Sequence, residues 1–518
     1  MPTKHLPDRP QLDHLRNQAK SLQRAVRGGD TEANQRVEDC YPGGLPADHT
    51  GFGLSEAQLV VAREYGFSSW TRLKRYLQTV ADFSWELTPR ADGTPADEFC
   101  RLACLTYSHE DGPDRWGQAR AILAEQPGLT ADHVWAAAAA ADLTAVQRLI
   151  EAEPALAGRR GGPHRWTPMF YLAYSRLDPE VPADRVLGIA RLLRDHGADP
   201  NEGYLWNGGP YAFTVLTGAF GEGEQGPTRQ PRHPHSLQLA RLLLEAGADP
   251  VDDQTLYNRM FRPDDDHLQL LFEYGLGRGD QPGPWRERMT DLHADPATKL
   301  RVQLRWAIEH GFADRVRLLA GHAVDVQSPY EDGRTPLAIA ELYGGPAVIE
   351  ALREAGAERP VPDNPADALV AAVFRADPAA VQTLVRDHPD AAEAVRRGGR
   401  NLLPWAAAAS GREETIRLLV ELGLDVNALG RSDVPVDGGW IETGWGQAGG
   451  ERGGHTALHE AAYRGDAGLV RTLLDLGADA GRHDTDHDAT PLGWAQYAEQ
   501  QGEDREAVIE LLRPLTTA

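Results

Sequence analysis

Residues 454–462 have the sequence GHTALHEAA, and the chain continues through a glycine turn at Gly465 into the stretch 469–474, LVRTLL, which closes at Gly477. Two short apolar segments separated by a glycine turn are typical of a pair of antiparallel helices. Thr456 stands where its hydroxyl can cap the first helix. Gly477 can take the left-handed conformation that ends the second helix. The stretch therefore predicts one helix-turn-helix unit.

The same unit recurs along the chain. Copies with a Thr-Pro pair start at Thr167, Thr335 and Thr490, and proline suits a first helical turn because its missing N–H group would have no partner there. The apolar residue of the first helix marks eleven copies: Leu102, Val134, Met169, Leu216, Leu256, Leu304, Leu337, Leu369, Leu403, Leu458 and Leu492. Six of the ten spacings lie within two residues of about 33, the period of one repeat family, and the other four equal a period plus an insertion.

The unit resembles the ankyrin repeat position by position. The sequence REYGFSSW at residues 63–70 is similar to the head that precedes ankyrin arrays in many bacterial proteins. The resemblance implies an all-α fold, an ankyrin-repeat solenoid of about eleven helix-turn-helix repeats with a helical N-terminal cap. It also implies an interaction scaffold that binds a partner protein or peptide in its concave groove, although fold alone does not determine function.

The period divides the chain into four regions. Residues 1–95 do not follow it and contain apolar helical patterns, which predict a helical cap over the open end of the array. Residues 96–275 form an N-terminal block of repeats, 276–299 an irregular insertion, and 300–518 a C-terminal block with a long hairpin insertion at 428–453. The helical patterns of the first region lie at 11–27, 55–65 and 68–80.

Shorter insertions also interrupt the array. Those at 175–183 and 221–235 lengthen the turn within a repeat, and their composition predicts flexible surface loops. Those at 203–211 and 277–297 lengthen hairpins between repeats, as does the long insertion at 428–453. Hairpins of this family point toward the concave side, so these three segments are expected to overhang the groove.

The resemblance places one residue of each first helix in the groove, and several of these residues are large or charged. Rings at exposed positions are typical of binding patches, and the 428–453 hairpin adds further candidates. The predicted groove residues are Tyr171, Trp306, Trp405, Trp440, Glu442, Trp445, Glu460 and Trp494. Because packed helices lie about 10 Å apart, Trp405, Glu460 and Trp494 are expected to form a row.

Carboxylates framed by tryptophans suit a cationic group, a sugar or an Arg/Lys-rich peptide. One alternative is that the long hairpin only folds onto Trp405 and Trp494 and covers them. Another is a small-molecule or carbohydrate pocket formed by repeats 9–11 and the hairpin, with Glu442 and Glu460 as candidate catalytic acid and base. The sequence does not decide whether the chain is an enzyme.

The sequence carries weaker signals for phosphate, nucleophile, cofactor or metal sites. The chain has neither a glycine-rich phosphate loop nor a nucleophile elbow, and we predict no cofactor. The run HDTDHD at 483–488 contains metal-ligating residue types, but it lies in a predicted hairpin, where solvated Asp and His are common, so no metal site is predicted. His459 occupies the histidine position of the ankyrin motif and is expected to be structural.

Composition and charge disfavour some kinds of partner and indicate a cellular compartment. A net charge of −24 disfavours nucleic acid, and no run approaches the roughly 18 apolar residues of a membrane span. The first ten residues lack the apolar core of a secretory signal, and three cysteines cannot form a complete disulfide framework. These features predict a cytoplasmic protein.

Overall fold

The computed structural model of the chain divides into two compact units, residues 1–299 (unit 1) and 300–518 (unit 2). Both are mostly helical, as the repeat pattern predicts. The structure describes residues 4, 6, 11–85, 93–278, 283–289, 295–331, 333–358, 364–409, 412–432, 454–500 and 503–516. Within these residues, no helix combines the length and the apolar character that crossing a membrane requires.

Unit 1 begins with four helices that share a small apolar core. They are α1 (Leu12–Arg27), α2 (Thr31–Cys40), α3 (Leu54–Glu64) and α4 (Trp70–Phe83). Three of them match predicted helical patterns, whereas α2 was not predicted. Leu15, Ala19 and Leu22 of α1 recur every three to four residues, which places them on one buried face.

The repeats of unit 1 follow as short helices. These are α5 (Pro95–Ala103), α6 (Pro113–Glu125), α7 (Val134–Ala139), α8 (Leu143–Ala152), α9 (Pro168–Tyr174), α10 (Ala183–Asp195), α11 (Val215–Phe220), α12 (Gly226–Arg229), α13 (Ser236–Glu245), α14 (Asp253–Asn258), α15 (Asp266–Glu273) and α16 (Pro284–Arg288). Helices α5, α7, α9, α11 and α14 pack side by side in that order, and α8, α10, α13 and α15 form a second row.

A three-stranded sheet joins the N-terminal helices to the repeats. Strand β1 (Ser84–Trp85) runs parallel to β2 (Gly203–Trp206), which pairs antiparallel with β3 (Ala212–Thr214). The 203–211 insertion is therefore a β-hairpin and not a free loop. Leu205 and Ala212 of this hairpin lie in the same apolar core as α1 to α4.

The contacts of the N-terminal helices thus reach the β2–β3 hairpin in the middle of the unit. Trp285 and Met289, from the 277–297 insertion, complete the shared core. The predicted role of residues 1–95 as a cap on the first repeat stays a prediction.

The insertions at 175–183 and 221–235 reach the surface, as predicted, since residues 178–180 and 224–225 are exposed, but residues 175–177 and 221–223 are buried and anchor them to the repeats. Arg176 is buried and donates hydrogen bonds to the Gly218 and Pro231 carbonyls at 2.8 Å, which ties the two segments together. Glu222 is also buried and faces the fully buried Arg259, with 3.2 Å between Oε2 and Nε. The composition of these segments resembles that of a linker, but these polar contacts hold them in place.

Unit 2 continues the pattern. Its helices are α17 (Pro296–Glu309, which contains the boundary), α18 (Ala313–Gly321), α19 (Pro336–Ile339), α20 (Gly345–Glu354), α21 (Pro365–Phe374), α22 (Pro378–Asp387), α23 (Pro389–Gly398), α24 (Leu402–Ala407), α25 (Glu413–Glu421), α26 (Ala457–Arg464), α27 (Ala467–Asp475), α28 (Pro491–Gln500) and α29 (Glu506–Leu512). A π-helical turn, Ala340–Gly344, follows α19. Gly477 closes α27 with a φ of 91°, in the left-handed region that its sequence position predicts.

Candidate functional site

Helices α26 and α28 lie side by side in unit 2, and α24 packs on the other side of α26. The order α24, α26, α28 is the order expected for the first helices of successive repeats. His459 links α26 to the next repeat. Its Nδ1 accepts a hydrogen bond from the Thr456 amide at 3.2 Å, and its Nε2 lies 3.0 Å from the Ala489 carbonyl.

These two bonds assign the tautomer of His459. Because Nδ1 accepts from an amide, Nε2 carries the hydrogen that is donated to Ala489. The side chain is fully buried, and this burial lowers the pKa of His459 to about 4. His459 is therefore a neutral structural residue at physiological pH, as the sequence predicts.

Trp494 is held by a carboxylate from the preceding hairpin. Its Nε1 donates to Asp484 Oδ2 at 2.9 Å, and Asp484 also accepts from the amides of Asp486, His487 and Ala489 at 2.7–3.0 Å. Burial alone would raise the pKa of Asp484, but the hydrogen bonds from Trp494 and the backbone amides lower it to about 2. The indole therefore has a fixed orientation on α28.

Four side chains on α26 and α28 form one partly exposed surface, which we call the C-terminal aromatic face: Glu460, Tyr463, Trp494 and Tyr497. Each helix contributes two of them at a spacing of three residues, so each pair lies on one side of its helix. The Tyr463 and Trp494 rings are perpendicular, with centroids 6.0 Å apart. Tyr463 is 42% exposed and Tyr497 is 46% exposed.

Glu460 supplies negative charge to this face. Its Oε2 lies 3.4 Å from His455 Nε2, and the His455 ring is 4.8 Å from Trp494. Burial raises the pKa of Tyr463, and the neighbouring Tyr497 and Glu460 raise it further. The Glu460 side chain is 12% exposed, and a carboxylate at the edge of aromatic rings can attract a cation to the ring faces.

His455 also stands at the base of the long hairpin. Its amide and carbonyl form two hydrogen bonds with Gly430, at 2.9 and 3.0 Å, which bring the two ends of the insertion together. The predicted site residues Trp440, Glu442 and Trp445 lie outside the described residues. The proposed pairing of Glu442 with Glu460 as acid and base stays a prediction.

Three predicted groove residues are buried, so the expectation that their rings are exposed is wrong. Trp306 and Trp405 are 9% and 7% exposed, and both rings contact His310, at centroid distances of 3.7 and 5.3 Å. Helices α24, α26 and α28 pack side by side as expected, but Trp405 packs on His310 and is not part of the exposed aromatic face, so the predicted row of Trp405, Glu460 and Trp494 is not one exposed surface.

Tyr171 is fully buried in unit 1. Its hydroxyl accepts from the His164 amide and donates to the Gly161 carbonyl, both at 3.1 Å, so residues 161–164 fold over the ring. Burial raises the pKa of Tyr171 well above its usual range. Tyr171 is buried because the turn that precedes α9 packs against its ring.

Tyr463 and Tyr497 were not predicted. The motif position that marks the groove identifies only one residue per first helix, namely Glu460 and Trp494. A search for exposed rings three residues further along each helix would have found both tyrosines, because residues at that spacing share a face.

The hairpin at 483–488 uses its acidic and histidine side chains within the turn. Asp484 accepts the bonds described above, and His483 Nδ1 lies 2.9 Å from Asp488 Oδ1. Within the part of the chain that the structure describes, no group of three His, Cys, Asp or Glu side chains has the geometry to hold a metal ion.

Comparison with known proteins identifies the repeats in this part of the chain. Residues 403–474 match the family described as ankyrin repeats, many copies. A search of the curated proteins found no match. The matched stretch includes Trp405, Glu460 and Tyr463 and ends before Trp494. The chain therefore contains ankyrin repeats, and the predicted resemblance is confirmed for residues 403–474.

Proposed function

We propose that this chain is a protein-interaction scaffold, a solenoid of about eleven ankyrin repeats that binds a partner protein or peptide on the C-terminal aromatic face. Ankyrin repeats are generally protein-interaction modules. All eleven marker residues of the repeat fall within helices, which supports the repeat count. The match to the ankyrin family covers α26 and so supports the placement of the site on its repeats.

One observation carries the proposal. Tyr463 and Tyr497 remain 42% and 46% exposed on adjacent helices, beside the partly exposed Trp494. Large rings gathered on a surface are typical of interaction sites. The orientation of Trp494 is set by Asp484, so the ring needs little reorganisation on binding.

The charge of the face indicates the kind of partner. Glu460 lies beside the rings, and the whole chain carries a net charge of −24. A peptide with arginine or lysine side chains would pair with Glu460 and place cations over the rings, each such contact contributing about 0.5–1 kcal/mol at an exposed site. The long-range field would also speed the encounter with a basic partner.

Isothermal titration calorimetry with an arginine-rich peptide tests this proposal. Trp494→Ala and Glu460→Gln should each weaken binding about two- to fivefold, because each removes one charge-assisted or cation–π contact of about 0.5–1 kcal/mol. Glu499→Gln is the matched control. It removes one negative charge from α28, but Glu499 is two positions from Tyr497 and faces another side of the helix.

Several results would contradict the proposal. The peptide could bind all three variants as tightly as the unchanged protein, or a peptide with serine in place of each arginine could bind equally well. Binding of a neutral oligosaccharide, lost in Glu460→Gln, would instead favour the small-molecule alternative.

We also propose that the protein is cytoplasmic and bacterial. Cys40, Cys100 and Cys104 are all free thiols, which fits a reducing cytoplasm. A bacterial source is supported only by the resemblance of residues 63–70 to the heads of bacterial ankyrin arrays.

A further inference from the structure

His455 lies at the edge of the C-terminal aromatic face. Its Nε2 atom is 3.4 Å from Glu460 Oε2, and its ring centroid is 4.8 Å from that of Trp494. The side chains of His455 and Glu460 are 13% and 12% exposed, so solvent screens the interaction between them only weakly. His455 thus contacts both the carboxylate and the indole that we propose for peptide binding.

Backbone hydrogen bonds hold the His455 ring beside Glu460. The amide and carbonyl of His455 bond to Gly430 at 2.9 and 3.0 Å. The residues on either side are held as well, since the Gly454 amide donates to Thr485 Oγ1 at 2.6 Å and the Thr456 amide donates to a side chain of α26. The ring therefore stays beside Glu460 when its charge changes.

The Nε2 atom of His455 is buried and has no hydrogen-bond partner among the described residues. A neutral imidazole carries a hydrogen on only one of its two nitrogens, whereas a protonated ring carries one on each. Once His455 is protonated, the Glu460 carboxylate at 3.4 Å is an acceptor of opposite charge for the hydrogen on Nε2. The two side chains are thus placed to form an ion pair only in the protonated state.

Two titratable groups near His455 keep the same charge at mildly acidic and neutral pH. Burial lowers the pKa of His459 on α26 to about 4, so its ring stays neutral. Burial alone would raise the pKa of Asp484, but the hydrogen bonds from Trp494 and the backbone amides lower it to about 2, so this carboxylate stays ionised. A change of charge at this face in the pH range of histidine therefore comes from other groups.

The remaining charged groups lie on the 483–488 hairpin and beside the Gly430 bridge. His483 Nδ1 is 2.9 Å from Asp488 Oδ1, and the His483 side chain is 52% exposed. The His487 ring lies 6.5 Å from Trp494. Arg431 follows Gly430, and an arginine side chain stays charged wherever histidine titrates. The test must therefore separate the effect of His455 from that of His487.

We propose that His455 is a pH-dependent switch of the C-terminal aromatic face, which weakens the binding of a basic peptide when His455 takes up a proton. Histidine is the side chain whose charge changes between about pH 5 and 8. The protonated ring pairs with Glu460 and puts a positive charge beside Trp494, where the proposed function places a cation of the peptide. This inference rests on the proposed function, because it describes how the same site is regulated.

Calorimetry of the full chain with the arginine-rich peptide at about pH 7.5 and about pH 5.5 tests the switch. The unchanged protein should bind roughly fivefold more weakly at the lower pH, because the ion pair removes the Glu460 contact and the new charge repels the peptide. His455→Gln cannot take up the proton, so its affinity should change less than about twofold between the two conditions. The peptide keeps its own charge at both.

Two histidine variants serve as controls. His483→Gln is the matched control, since it removes an exposed histidine of the neighbouring hairpin that is already paired with Asp488. His487→Gln removes the second histidine near Trp494. Both variants should keep the fivefold loss of affinity at the lower pH.

Proton NMR of the histidine rings tests the ion pair without the peptide. The His455 signal is identified by its loss in His455→Gln. Glu460→Gln should move the titration midpoint of that signal to lower pH, because the carboxylate stabilises the protonated ring. A midpoint that does not move shows that the two side chains form no ion pair, and it overturns the inference.

The failure of the switch and the failure of the peptide site give different results. No binding of the peptide at either pH contradicts the proposed function, and the switch with it. Equal affinity at the two pH values overturns the switch alone and leaves the peptide site in place. A loss of affinity that persists in His455→Gln, or that disappears only in His487→Gln, also overturns the assignment to His455.

Discussion

Tyr171 in unit 1 and Trp494 in unit 2 occupy the same motif position of their repeats. Both follow a Thr-Pro pair on the first helix of a repeat. Tyr171 is fully buried beneath residues 161–164, whereas Trp494 remains partly exposed and is held by Asp484. The motif position therefore places the ring on the first helix of its repeat. The segments that pack against the ring determine whether a partner can reach it.

In unit 1, the aromatic side chains of the repeats are covered by other segments of the same chain. Trp85 of β1 packs its ring 4.6 Å from Trp166 and 6.1 Å from Tyr174, and it is 1% exposed. Trp166 in turn lies 5.2 Å from Tyr171. The N-terminal segment thus contacts the aromatic side chains of the repeats in unit 1, as we propose that an external peptide does in unit 2.

The largest expected effect is at Trp85. Trp85→Ala should lower the free energy of unfolding by about 3–5 kcal/mol, the usual cost of removing a buried tryptophan from a core. Chemical denaturation followed by far-ultraviolet circular dichroism measures it. Trp494→Ala should cost only about 1.5–3 kcal/mol, mainly its hydrogen bond to the Asp484 carboxylate. Equal losses for the two variants would remove the contrast between the units.

A smaller effect is expected at Asp484, which fixes the exposed ring. Asp484→Asn should cost about 1–3 kcal/mol, because an amide cannot accept all the hydrogen bonds that the carboxylate accepts. Asp488→Asn is the control, since the Asp488 side chain is 93% exposed, and it should change stability by less than about 0.5 kcal/mol.

The effect of Asp484 should also depend on pH. Its pKa is lowered to about 2 in the folded chain, below its ordinary value of 3.8. The carboxylate therefore stabilises the fold fully above pH 3.8, and this contribution is lost as the pH falls through about 2. The difference in stability between Asp484→Asn and the unchanged protein should shrink over that window. A difference that stayed constant from pH 5 to 2 would show that the charge does not matter.

The smallest effect on stability is expected at Tyr463. Because the side chain is 42% exposed, Tyr463→Ala should change the free energy of unfolding by less than about 1 kcal/mol. The same variant should weaken binding of an arginine-rich peptide. A large loss of stability, measured by thermal denaturation, would mean that Tyr463 serves packing and not recognition.

The repeat pattern predicts the helices well because its signals are local. The position of Gly477 at a helix end and the bonding of His459 within its turn both follow from residues a few positions apart. The pairing of β1 with β2 could not be predicted in this way. Ser84 and Leu205 are distant in the chain, and strands of two and four residues carry almost no periodic signal.

The sequence predicts only part of the candidate site, again because its signals are local. Trp494 and Glu460 follow from the motif, whereas the burial of Tyr171 and Trp405 depends on packing partners that the repeat does not specify. A single sequence shows which residues can form a binding surface, and tertiary packing decides which of them stay accessible.

Hydrogen–deuterium exchange of the full chain, with and without an arginine-rich peptide, tests whether α26 and α28 bind the peptide. We expect slower exchange confined to α26 and α28, with residues 161–174 unchanged because their rings are already covered. Slower exchange at residues 161–174, or no change in α26 and α28 at a saturating peptide concentration, would contradict it.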